Sequence, residues 1–527
     1  MPLLEPTWRT VQRYAETDAI MQATPELLDQ YTAVDPGRTV IADADYELTA
    51  RELMSAVSRE QDRLRAAGVG RGDVVCTQLP NWWEAIAFAH AAWGMGAVLC
   101  PVPVNYRTAE ISAILAAVPV AAYISPQRFR SANYGPMVTD AADRAGIAVP
   151  WLPVVHGHVT DIELAESSHQ PELVADLDGV CMVMFTSGTT GHPKGVLHSH
   201  RTLLAEARSI ADLFSLAADR VFMPSPIGHI TGLLYGVLMP LLINGTVVLQ
   251  AEWEAQVGMR LVEKHRCTFC VGATPFLRGL TDAYLAAGSC SHLAGFVCGG
   301  ADVPPALVRD ARSVLGCTVV RAYGLTEMPT LTCGSPRDPV EVQADTDGRL
   351  IGSSQARLVC TFDGIGELEV RGPELCLGYL DPADTAAAFT ADGWFRTGDL
   401  ARIGPGPTVT IAGRVKDIIV RGGENISVKE VEDYLAEHPQ LADVAIVGVP
   451  DEVLGERACA FVIAKGARPT LADVSAFLIE RGIARQKIPE HLIITTELPR
   501  TPSGKVQKFM LSQEAVRQLG RGQGESR

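Results

Sequence analysis

Short apolar segments alternate with helical patterns along most of the chain, and this alternation restricts the fold more than any other feature. The segments CMVMF, TVVLQ, GFVCGG and CTVVRAY have the length and residue types of buried strands. Between such segments lie helical patterns; one of them begins with Thr49 and Glu52 in capping-box spacing and ends at Gly68. The alternation predicts an α/β fold with largely parallel sheets.

The sequence pattern changes after about residue 355. ARLVCTF, GELEVRG and TVTIAGR are strand patterns joined by short turns, which predicts a mostly antiparallel region. A smaller α+β unit is predicted to follow, with helices at VKEVEDYLAEHP and LADVSAFLIERG and strands at DVAIVGVP and ACAFVIA. A chain of 527 residues, 47 % of them hydrophobic, has enough apolar material for two or more such domains.

The charge of the chain limits the classes of partner. A formal net charge of −16 disfavours binding of nucleic acid, because that function needs a basic surface. The N-terminal stretch MPLLEPTWRTVQRYAETD has no basic segment followed by an apolar one, so it does not resemble a signal peptide. We therefore expect a small-molecule partner and a cytoplasmic location.

One uncharged run, from Ala85 to Val104, is long enough to span a bilayer. It contains His90, two glycines and two prolines, and its pattern favours a helix, a turn at Gly94 to Gly96 and then a buried strand. No transmembrane segment is expected.

The twelve cysteines are scattered through apolar segments, which suggests reduced thiols. Cys267 and Cys270 have the spacing of a metal or redox pair, but no second pair completes a zinc site. Core cysteines are therefore the favoured interpretation.

The stretch FTSGTTGHPKGV, residues 185–196, combines glycines, hydroxyl groups and one lysine. It is not a Walker P-loop, because Lys194 is followed by Gly195 and Val196 and not by Ser or Thr. Its glycines still let backbone N–H groups turn towards an anion, and its side chains supply further donors and charge. A phosphate-binding loop is one interpretation, and a flexible surface loop is the other.

Four further stretches follow in order along the chain: YGLTEMP at 323–329, GWFRTGDL at 393–400, GRVKDIIVRGGENIS at 413–427 and PRTPSGKVQK at 499–508. Together with FTSGTTGHPKGV they resemble the signature set of the adenylate-forming superfamily. That superfamily includes acyl-CoA synthetases, firefly-luciferase-like enzymes and the adenylation domains of peptide synthetases. The resemblance covers nearly the whole chain.

The resemblance implies a large N-terminal AMP-binding domain, residues 1–414, of α/β subdomains plus a distorted antiparallel barrel. A small mobile C-terminal α+β domain, residues 415–527, would carry a catalytic lysine. The implied reaction has two steps: a carboxylate attacks the α-phosphate of ATP to give an acyl adenylate and pyrophosphate, and a thiol then attacks the acyl carbon and releases AMP. ATP, Mg²⁺ and coenzyme A are the implied cofactors.

By the same resemblance, the glycine-rich loop would hold the β- and γ-phosphates through Thr186, Ser187, Gly188, Thr189, Thr190, Gly191 and Lys194. Tyr323, with Gly324, would offer an aromatic face to adenine, and Thr326 a hydroxyl group to the α-phosphate. Glu327 would bind Mg²⁺, and its alternative is a helix-capping acid.

Asp399 would accept hydrogen bonds from both ribose hydroxyls, and Arg414 would join it there. GWFRTGDL is interpreted as a turn, so the alternative for Asp399 is an ordinary turn residue. Lys416 occupies the position of the hinge between the two domains.

Lys505 matches the lysine that bridges the acyl carboxylate and the phosphate during adenylation; the alternative is a solvated lysine in a basic run. After rotation of the C-terminal domain, Gly422 and Gly423 would line a narrow tunnel for pantetheine.

The acyl pocket would be lined by PIGHITGLLYG at 226–236, CVGATPF at 270–276, GGAD at 299–302 and Met328. Gly299, Gly300 and Ala301 of GGAD belong to the implied cofactor-binding set. His229 stands where amino-acid-activating relatives carry an Asp, so an amino acid substrate is not expected. The roles left open for His229 are that of a gate and that of a pocket-filling side chain. The remaining lining is neutral and mostly apolar, which fits a medium-chain, alicyclic or aromatic acid.

We therefore predict that the chain is an acyl-CoA ligase, that is, an AMP-forming acid–thiol ligase of fatty acid metabolism. Whether it forms a homodimer is left open. Two alternatives stand beside it: an enzyme that loads a carrier protein or stops at the acyl adenylate, and a nucleotide-binding protein that has lost catalysis.

Overall fold

A computed structural model describes residues 22–157, 176–186, 193–300, 303–362, 364–421, 424–451, 454–481, 483, 485–500 and 505–524. Contacts divide the chain into two compact units. Unit 1 comprises Met1–Gln355 and Val370–Phe395, and unit 2 comprises Ala356–Glu369 and Arg396–Arg527. The boundary predicted at residue 414 stays a prediction.

Residues 22–157 form the first elements of unit 1. Their helices are α1 (Thr24–Val34), α2 (Ala50–Ala66), α3 (Trp83–Gly94), α4 (Thr108–Ala117) and α5 (Tyr134–Ala145). Their strands are β1 (Thr39–Ala42), β2 (Glu47–Thr49), β3 (Val74–Thr77), β4 (Val98–Pro101), β5 (Val120–Pro126), β6 (Arg128–Phe129), β7 (Ala132–Asn133) and β8 (Trp151–Val154).

Residues 176–350 continue unit 1. Their strands are β9 (Val180–Thr186), β10 (Lys194–Ser199), β11 (Arg220–Met223), β12 (Thr246–Leu249), β13 (Phe269–Gly272), β14 (Gly295–Cys298), β15 (Thr318–Leu325), β16 (Met328–Cys333) and β17 (Arg349–Leu350). Their helices are α6 (His200–Phe214), α7 (Ile230–Leu233), α8 (Met239–Leu242), α9 (Ala255–His265), α10 (Thr274–Ala287), α11 (Pro305–Leu315) and α12 (Val340–Asp345). A π-helical turn, Leu234–Leu238, joins α7 to α8.

The remaining elements follow residue 354. Their strands are β18 (Gln355–Phe362), β19 (Ile365–Arg371), β20 (Phe395–Ile403), β21 (Val409–Arg414), β22 (Ile418–Arg421), β23 (Glu424–Ser427), β24 (Leu441–Asp451), β25 (Gly455–Ala464) and β26 (His491–Thr495). Their helices are α13 (Pro382–Ala388), α14 (Val428–Ala436), α15 (Leu471–Glu480) and α16 (Lys508–Gly524), and short 3₁₀ turns lie at Val415–Asp417 and Arg485–Lys487.

Two sheets with parallel centres organise unit 1. The larger has the strand order β17–β16–β15–β14–β13–β11–β12–β1–β2; its inner neighbours pair in parallel, whereas β2, β16 and β17 pair antiparallel. The second has the order β10–β9–β4–β3–β5–β8 and is parallel except for the β9–β10 hairpin. The predicted α/β fold class is confirmed.

Strands β18 to β21 form a sheet in chain order, and in it β20 and β21 pair antiparallel. The C-terminal sheet has the order β23–β22–β25–β24, with β26 in parallel beside β25. Successive residues of β24 face opposite sides of this sheet: Ile446 packs in a cluster with α14 and α15, and Val447 packs in a cluster with α16. Helices therefore cover both faces of the C-terminal sheet.

The predicted capping box at Thr49 and the predicted helix, turn and strand between Ala85 and Val104 are confirmed. Thr49 caps α2: its hydroxyl accepts a hydrogen bond from the N–H of Glu52, whose carboxylate accepts one from the N–H of Thr49. The uncharged run folds into α3 and β4, with Gly96 at a φ of 68° between them. No helix in the described part of the chain combines the length and the apolar character that crossing a membrane requires.

Cys267 and Cys270 are fully buried in the core of unit 1, with relative exposures of 0 %. Burial raises the pKa of both thiols. Among the described residues, no group of three or more His, Cys, Asp or Glu side chains is arranged to hold a metal ion. The interpretation as core cysteines is confirmed.

His156 links the two sheets of unit 1. It follows β8, and its ring lies 2.9 Å from the carboxylate of Glu84 on α3 and 3.4 Å from that of Asp43 after β1. The ring also stacks on Trp82, with centroids 4.7 Å apart. Burial lowers the pKa of His156, but the hydrogen bonds to and charges of the two carboxylates outweigh burial and raise this pKa to about 9.

We expect this contact to make stability depend on pH. Because the folded-state pKa is above the unfolded value, the stabilisation is complete below about pH 6.5 and is lost as pH rises to about 9. With allowance for solvent screening, we expect the protonated His156 to add about 2 kcal/mol to the free energy of unfolding. Urea unfolding at pH 6 and pH 9.5 measures the free energy of unfolding of the parent and of His156→Gln. The parent should be the more stable protein at pH 6, and the difference between the two free energies should shrink at pH 9.5. A difference that is the same at both values would contradict this assignment.

Candidate active site

The segments predicted to form the acyl pocket meet at one edge of the larger sheet. Strands β11, β13, β14 and β15 are successive parallel neighbours. Four stretches follow the carboxyl ends of these strands in the same order: 226–236, the residues after Gly272, Gly299 and Gly300 of the GGAD stretch, and the Thr326–Glu327 turn. Ligands of parallel sheets bind outside this edge. The topology therefore brings these predicted segments together.

Thr326 and Glu327 form the two-residue turn of the β15–β16 hairpin, in which Leu325 pairs with Met328. A Cβ atom at Gly324 would overlap the carbonyl group of Pro329, so this close approach of the two strands requires glycine. Because Glu327 lies in a turn between strands, the alternative of a helix-capping acid is wrong.

Segment 376–379 holds the Glu327 side of this turn. The N–H of Cys376 donates to the Glu327 carbonyl at 2.8 Å, and the Tyr379 hydroxyl donates to Glu327 Oε1 at 2.5 Å. Burial and the negative charge of Glu327 raise the pKa of Tyr379, so this hydroxyl keeps its proton. Both side chains are buried, and the carboxylate is thereby held in one orientation.

His198 holds the Thr326 side. Its Nε2 lies 2.8 Å from the Thr326 carbonyl and its Nδ1 lies 2.9 Å from Thr202 Oγ1. Burial lowers the pKa of His198 to about 4, so the ring is neutral at pH 7. A carbonyl can only accept, so Nε2 carries the hydrogen and Nδ1 accepts from the Thr202 hydroxyl. Sequence reasoning missed His198, although it lies only two residues beyond FTSGTTGHPKGV.

The glycine-rich stretch connects β9 to β10. Thr186 ends β9, Lys194 begins β10, and the two residues pair in the antiparallel ladder. Lys194 Nζ lies 2.6 Å from Asp384 Oδ1 on α13 and 5.2 Å from the centre of the Tyr379 ring. The start of β10 therefore lies beside the segment that contacts Glu327. Ser187, Gly188, Thr189, Thr190 and Gly191, which were predicted to contact phosphate, lie outside the described residues.

Backbone pairing explains why these segments converge. The N–H of Leu197 in β10 donates to the Gly378 carbonyl at 2.9 Å, and the N–H of Leu377 donates back to the Leu197 carbonyl at 2.7 Å. Tyr379 and Asp384, which sequence reasoning missed, are carried to the site by this pairing. Only the stretch GYLDPAD, with its aromatic and acidic residues, could have indicated them.

The predicted pocket segment also packs on buried polar groups. Tyr235, in the π-helical turn, donates to Glu206 Oε1 at 2.8 Å and lies 2.7 Å from Thr330 Oγ1. Burial, with a contribution from the charge of Glu374, raises the pKa of Glu206 to about 8. Glu206 is therefore mostly protonated at pH 7, which agrees with the predicted neutrality of this region.

His229 precedes α7, and its carbonyl accepts a hydrogen bond from the N–H of Leu233 at 3.0 Å. Its side chain is half-buried, and its two predicted roles both stay open. Gly299 and Gly300 follow β14, and Tyr323 lies in β15 opposite Thr332. Ala301 lies outside the described residues.

In unit 2, Asp399 and Arg414 lie opposite each other on β20 and β21, and Arg414 Nε is 3.0 Å from Asp399 Oδ1. The structure thus brings together the two residues predicted for the ribose. The interpretation of GWFRTGDL as a turn is wrong, because Asp399 lies within β20. The preceding Gly398 has a φ of 70°, a backbone conformation that favours glycine.

Lys416 lies in the 3₁₀ turn between β21 and β22, and its side chain is outside the described residues, as are Gly422 and Gly423. Lys505 is exposed and lies three residues before α16. Lys505 and Asp399 belong to unit 2, whereas Thr326 and Glu327 belong to unit 1.

Two family models match most of the chain. The family model described as AMP-binding enzyme matches residues 28–380, and the one described as AMP-binding enzyme C-terminal domain matches residues 430–505. The medium-chain fatty-acid–CoA ligase of Escherichia coli is 34 % identical over 509 residues, covering 92 % of this chain and 89 % of that protein. The mitochondrial medium-chain acyl-CoA ligase ACSF2 of Danio rerio is 30 % identical, covering 95 % and 89 %. The crystal structure of ATP-bound MatB from Rhodopseudomonas palustris matches with a TM-score of 0.83 at 26 % identity, covering 93 % and 99 %.

The contact between Tyr379 and Glu327 gives a test of the geometry. Tyr379→Phe removes one hydrogen-bond donor from a buried carboxylate oxygen, which should lower the free energy of unfolding by about 1 to 3 kcal/mol. Urea denaturation measures this loss. Tyr434→Phe, at a tyrosine that is 36 % exposed, is the matched control and should change little. Equal stability of the two variants would show that the Tyr379 hydroxyl makes no such bond.

Proposed function

The chain belongs to the AMP-binding enzyme family, and from this premise we propose that it activates a medium-chain, apolar carboxylic acid with ATP and transfers the acyl group to coenzyme A. The resemblance to the adenylate-forming superfamily is confirmed, and so is the prediction of an AMP-forming ligase of the acyl-CoA synthetase class. The observation that carries the proposal is the convergence of the β9–β10 hairpin with the Thr326–Glu327 turn at the carboxyl edge of the larger sheet. A cytoplasmic location and a homodimer stay predictions.

In the first step, the acid and ATP are both negative, so the site must neutralise charge at the phosphates. We assign this work in unit 1 to Lys194, to the loop that follows Thr186 and to the hydroxyl of Thr326. Tyr323, Gly324, Gly299 and Gly300 would border the adenine. Asp399 and Arg414 would hold the ribose.

Glu327 is the proposed Mg²⁺ ligand. The described residues offer no cluster of acidic or histidine side chains that could hold a metal alone. A single carboxylate fits Mg²⁺, because this ion is commonly bound by one or two carboxylates together with substrate phosphates. When bound, the ion would supply positive charge at the phosphates. Tyr379 fixes the orientation of the carboxylate through Oε1.

The proposed substrate class rests on the lining of the pocket and on the relatives. The two relatives described above are medium-chain acyl-CoA ligases by name. The segments at the sheet edge are mostly apolar, and Glu206 behind them is mostly protonated at pH 7. A neutral apolar chain therefore fits this region better than a charged one. His229 would line the same pocket.

A panel of acids tests the proposal. With ATP, Mg²⁺ and coenzyme A, acids from hexanoate to dodecanoate should give pyrophosphate and a thioester, and acetate and amino acids should give far less. Benzoate and cyclohexanecarboxylate test the aromatic and alicyclic classes. Pyrophosphate release without thioester, with transfer to an acyl carrier protein instead, would replace the coenzyme A proposal. Absence of pyrophosphate release with every acid would overturn the proposed function.

Lys505 should act only in the first half-reaction. Lys505→Ala should slow ATP-dependent pyrophosphate release on the order of 10²-fold, because one preorganised charge at the adenylation transition state is removed. Supplied with presynthesised acyl adenylate and coenzyme A, the variant should form thioester at nearly the parent rate. Lys465→Ala, at another exposed lysine of unit 2, is the control and should leave both rates unchanged. Equal losses in the two half-reactions of Lys505→Ala would contradict the assignment.

A further inference from the structure

The loop that carries Lys505 is closed at its base. Arg500 and Val506 form an isolated antiparallel bridge, and the N–H of Gln507 donates to the Pro499 carbonyl at 2.7 Å. Lys505 therefore lies one residue from a fixed point of the backbone. Whatever orients this base also orients the backbone from which the Lys505 side chain extends.

Lys508 begins α16 immediately after this base. Its Nζ lies 3.0 Å from Glu432 Oε2 on α14 and 3.9 Å from Asp417 Oδ2 in the 3₁₀ turn. The other oxygen of Glu432 accepts a hydrogen bond from the N–H of Ile446 in β24 at 2.6 Å. One carboxylate thus joins α14, the central part of β24 and the start of α16.

The environment of this ion pair differs from that of ordinary surface pairs. The side chains of Lys508 and Glu432 are 23 % and 19 % exposed, so solvent screens their attraction only partly. On the other side of the loop, Arg500 pairs with Asp443, and these side chains are 42 % and 33 % exposed. Exposed pairs contribute little. Of these two ion pairs, that of Lys508 is therefore the less screened by solvent.

We propose that Lys508 is a positioning residue for adenylation: by its ion pair with Glu432 it fixes the base of the loop and so the place from which Lys505 acts. The inference rests on the role proposed for Lys505 in the first half-reaction. Lys508 itself contacts no substrate in this assignment. Because a displacement of about 1 Å can slow a reaction about 10²-fold, a loosened base should be visible in the rate.

The surroundings of Lys508 supply suitable variants. A cavity of about 20 Å³, with room for about one water molecule, is lined by Lys508, Asp417 and Lys429. Lys508→Arg can use this space and still reach Glu432, whereas Lys508→Met keeps the length of the side chain and removes its charge. Lys465→Met makes the same substitution at an exposed lysine of unit 2 that does not line this cavity, so it is the matched control.

The test measures the two half-reactions separately. Lys508→Met should slow pyrophosphate release 10- to 100-fold and change thioester formation from presynthesised acyl adenylate by less than twofold. Lys508→Arg, which keeps the positive charge, should release pyrophosphate at most of the parent rate. Lys465→Met should leave both rates within twofold of the parent. A role in general stability would instead lower both rates of Lys508→Met together, and that outcome would overturn the proposal.

A second variant keeps the test decisive if Lys508→Met does not fold. Glu432→Gln retains an oxygen for the N–H of Ile446 but removes the partner charge of Lys508, and it should show the same selective loss. An unchanged rate of pyrophosphate release in Glu432→Gln would overturn the proposal.

Lys505→Ala, assayed in parallel, distinguishes a failure of the positioning role of Lys508 from a failure of the proposed role of Lys505. If Lys505→Ala loses adenylation and neither Lys508→Met nor Glu432→Gln does, the positioning role fails alone. If Lys505→Ala keeps adenylation, the proposed role of Lys505 fails, and the positioning role fails with it.

Discussion

The turn at Thr326 and Glu327 is fixed from two sides, and the arrangement of the candidate site depends on this constraint. His198 donates to one carbonyl of the turn, and the N–H of Cys376 donates to the other. A two-residue turn at the end of a buried hairpin has few backbone bonds of its own, so its carbonyls need partners from elsewhere. These partners come from β10 and from the segment that pairs with β10. The same pairing therefore sets the turn, the orientation of the Glu327 carboxylate and the start of the predicted phosphate loop.

This constraint explains why so many buried polar groups surround the site. A neutral His198 suits the carbonyl it contacts, because a charged ring at this depth would lack an acidic partner. Behind it, Glu206 meets Tyr235, and Glu374 accepts hydrogen bonds from Ser209 and Ser354 at 2.9 and 3.0 Å. Glu206 Oε2 has no hydrogen-bond partner among the described residues, whereas Glu206 Oε1 and both oxygens of Glu374 are paired. Because a lost hydrogen bond is costly at this depth, few other arrangements of these segments are favourable. The buried polar groups therefore define the geometry of the site, but their burial lowers the stability of the fold.

Sequence reasoning predicted what depends on near neighbours or on a chain-wide pattern. The capping box at Thr49, the parallel sheets and the family follow from such patterns. Asp399 was placed in a turn because it follows a glycine, although the segment continues as a strand. His198 could not be predicted, because its contact with Thr326 spans 128 residues of sequence. The pairing of the chain near Leu377 with β10 is equally remote in sequence, and no local pattern reports it.

The ion pair of Lys508 illustrates how a loop can carry a precisely placed group. Loops are less exact platforms than helices or strands, so the scaffold must hold their ends. Burial removes water from the Glu432 carboxylate and so raises its pKa, and the charge of Lys508 acts in the opposite direction. A partly buried pair of this kind contributes little net stability, because the loss of hydration offsets much of the attraction. Its effect is to disfavour every arrangement in which the two charges are apart. The start of α16, and with it the backbone beside Lys505, is thereby restricted to one position on α14 and β24.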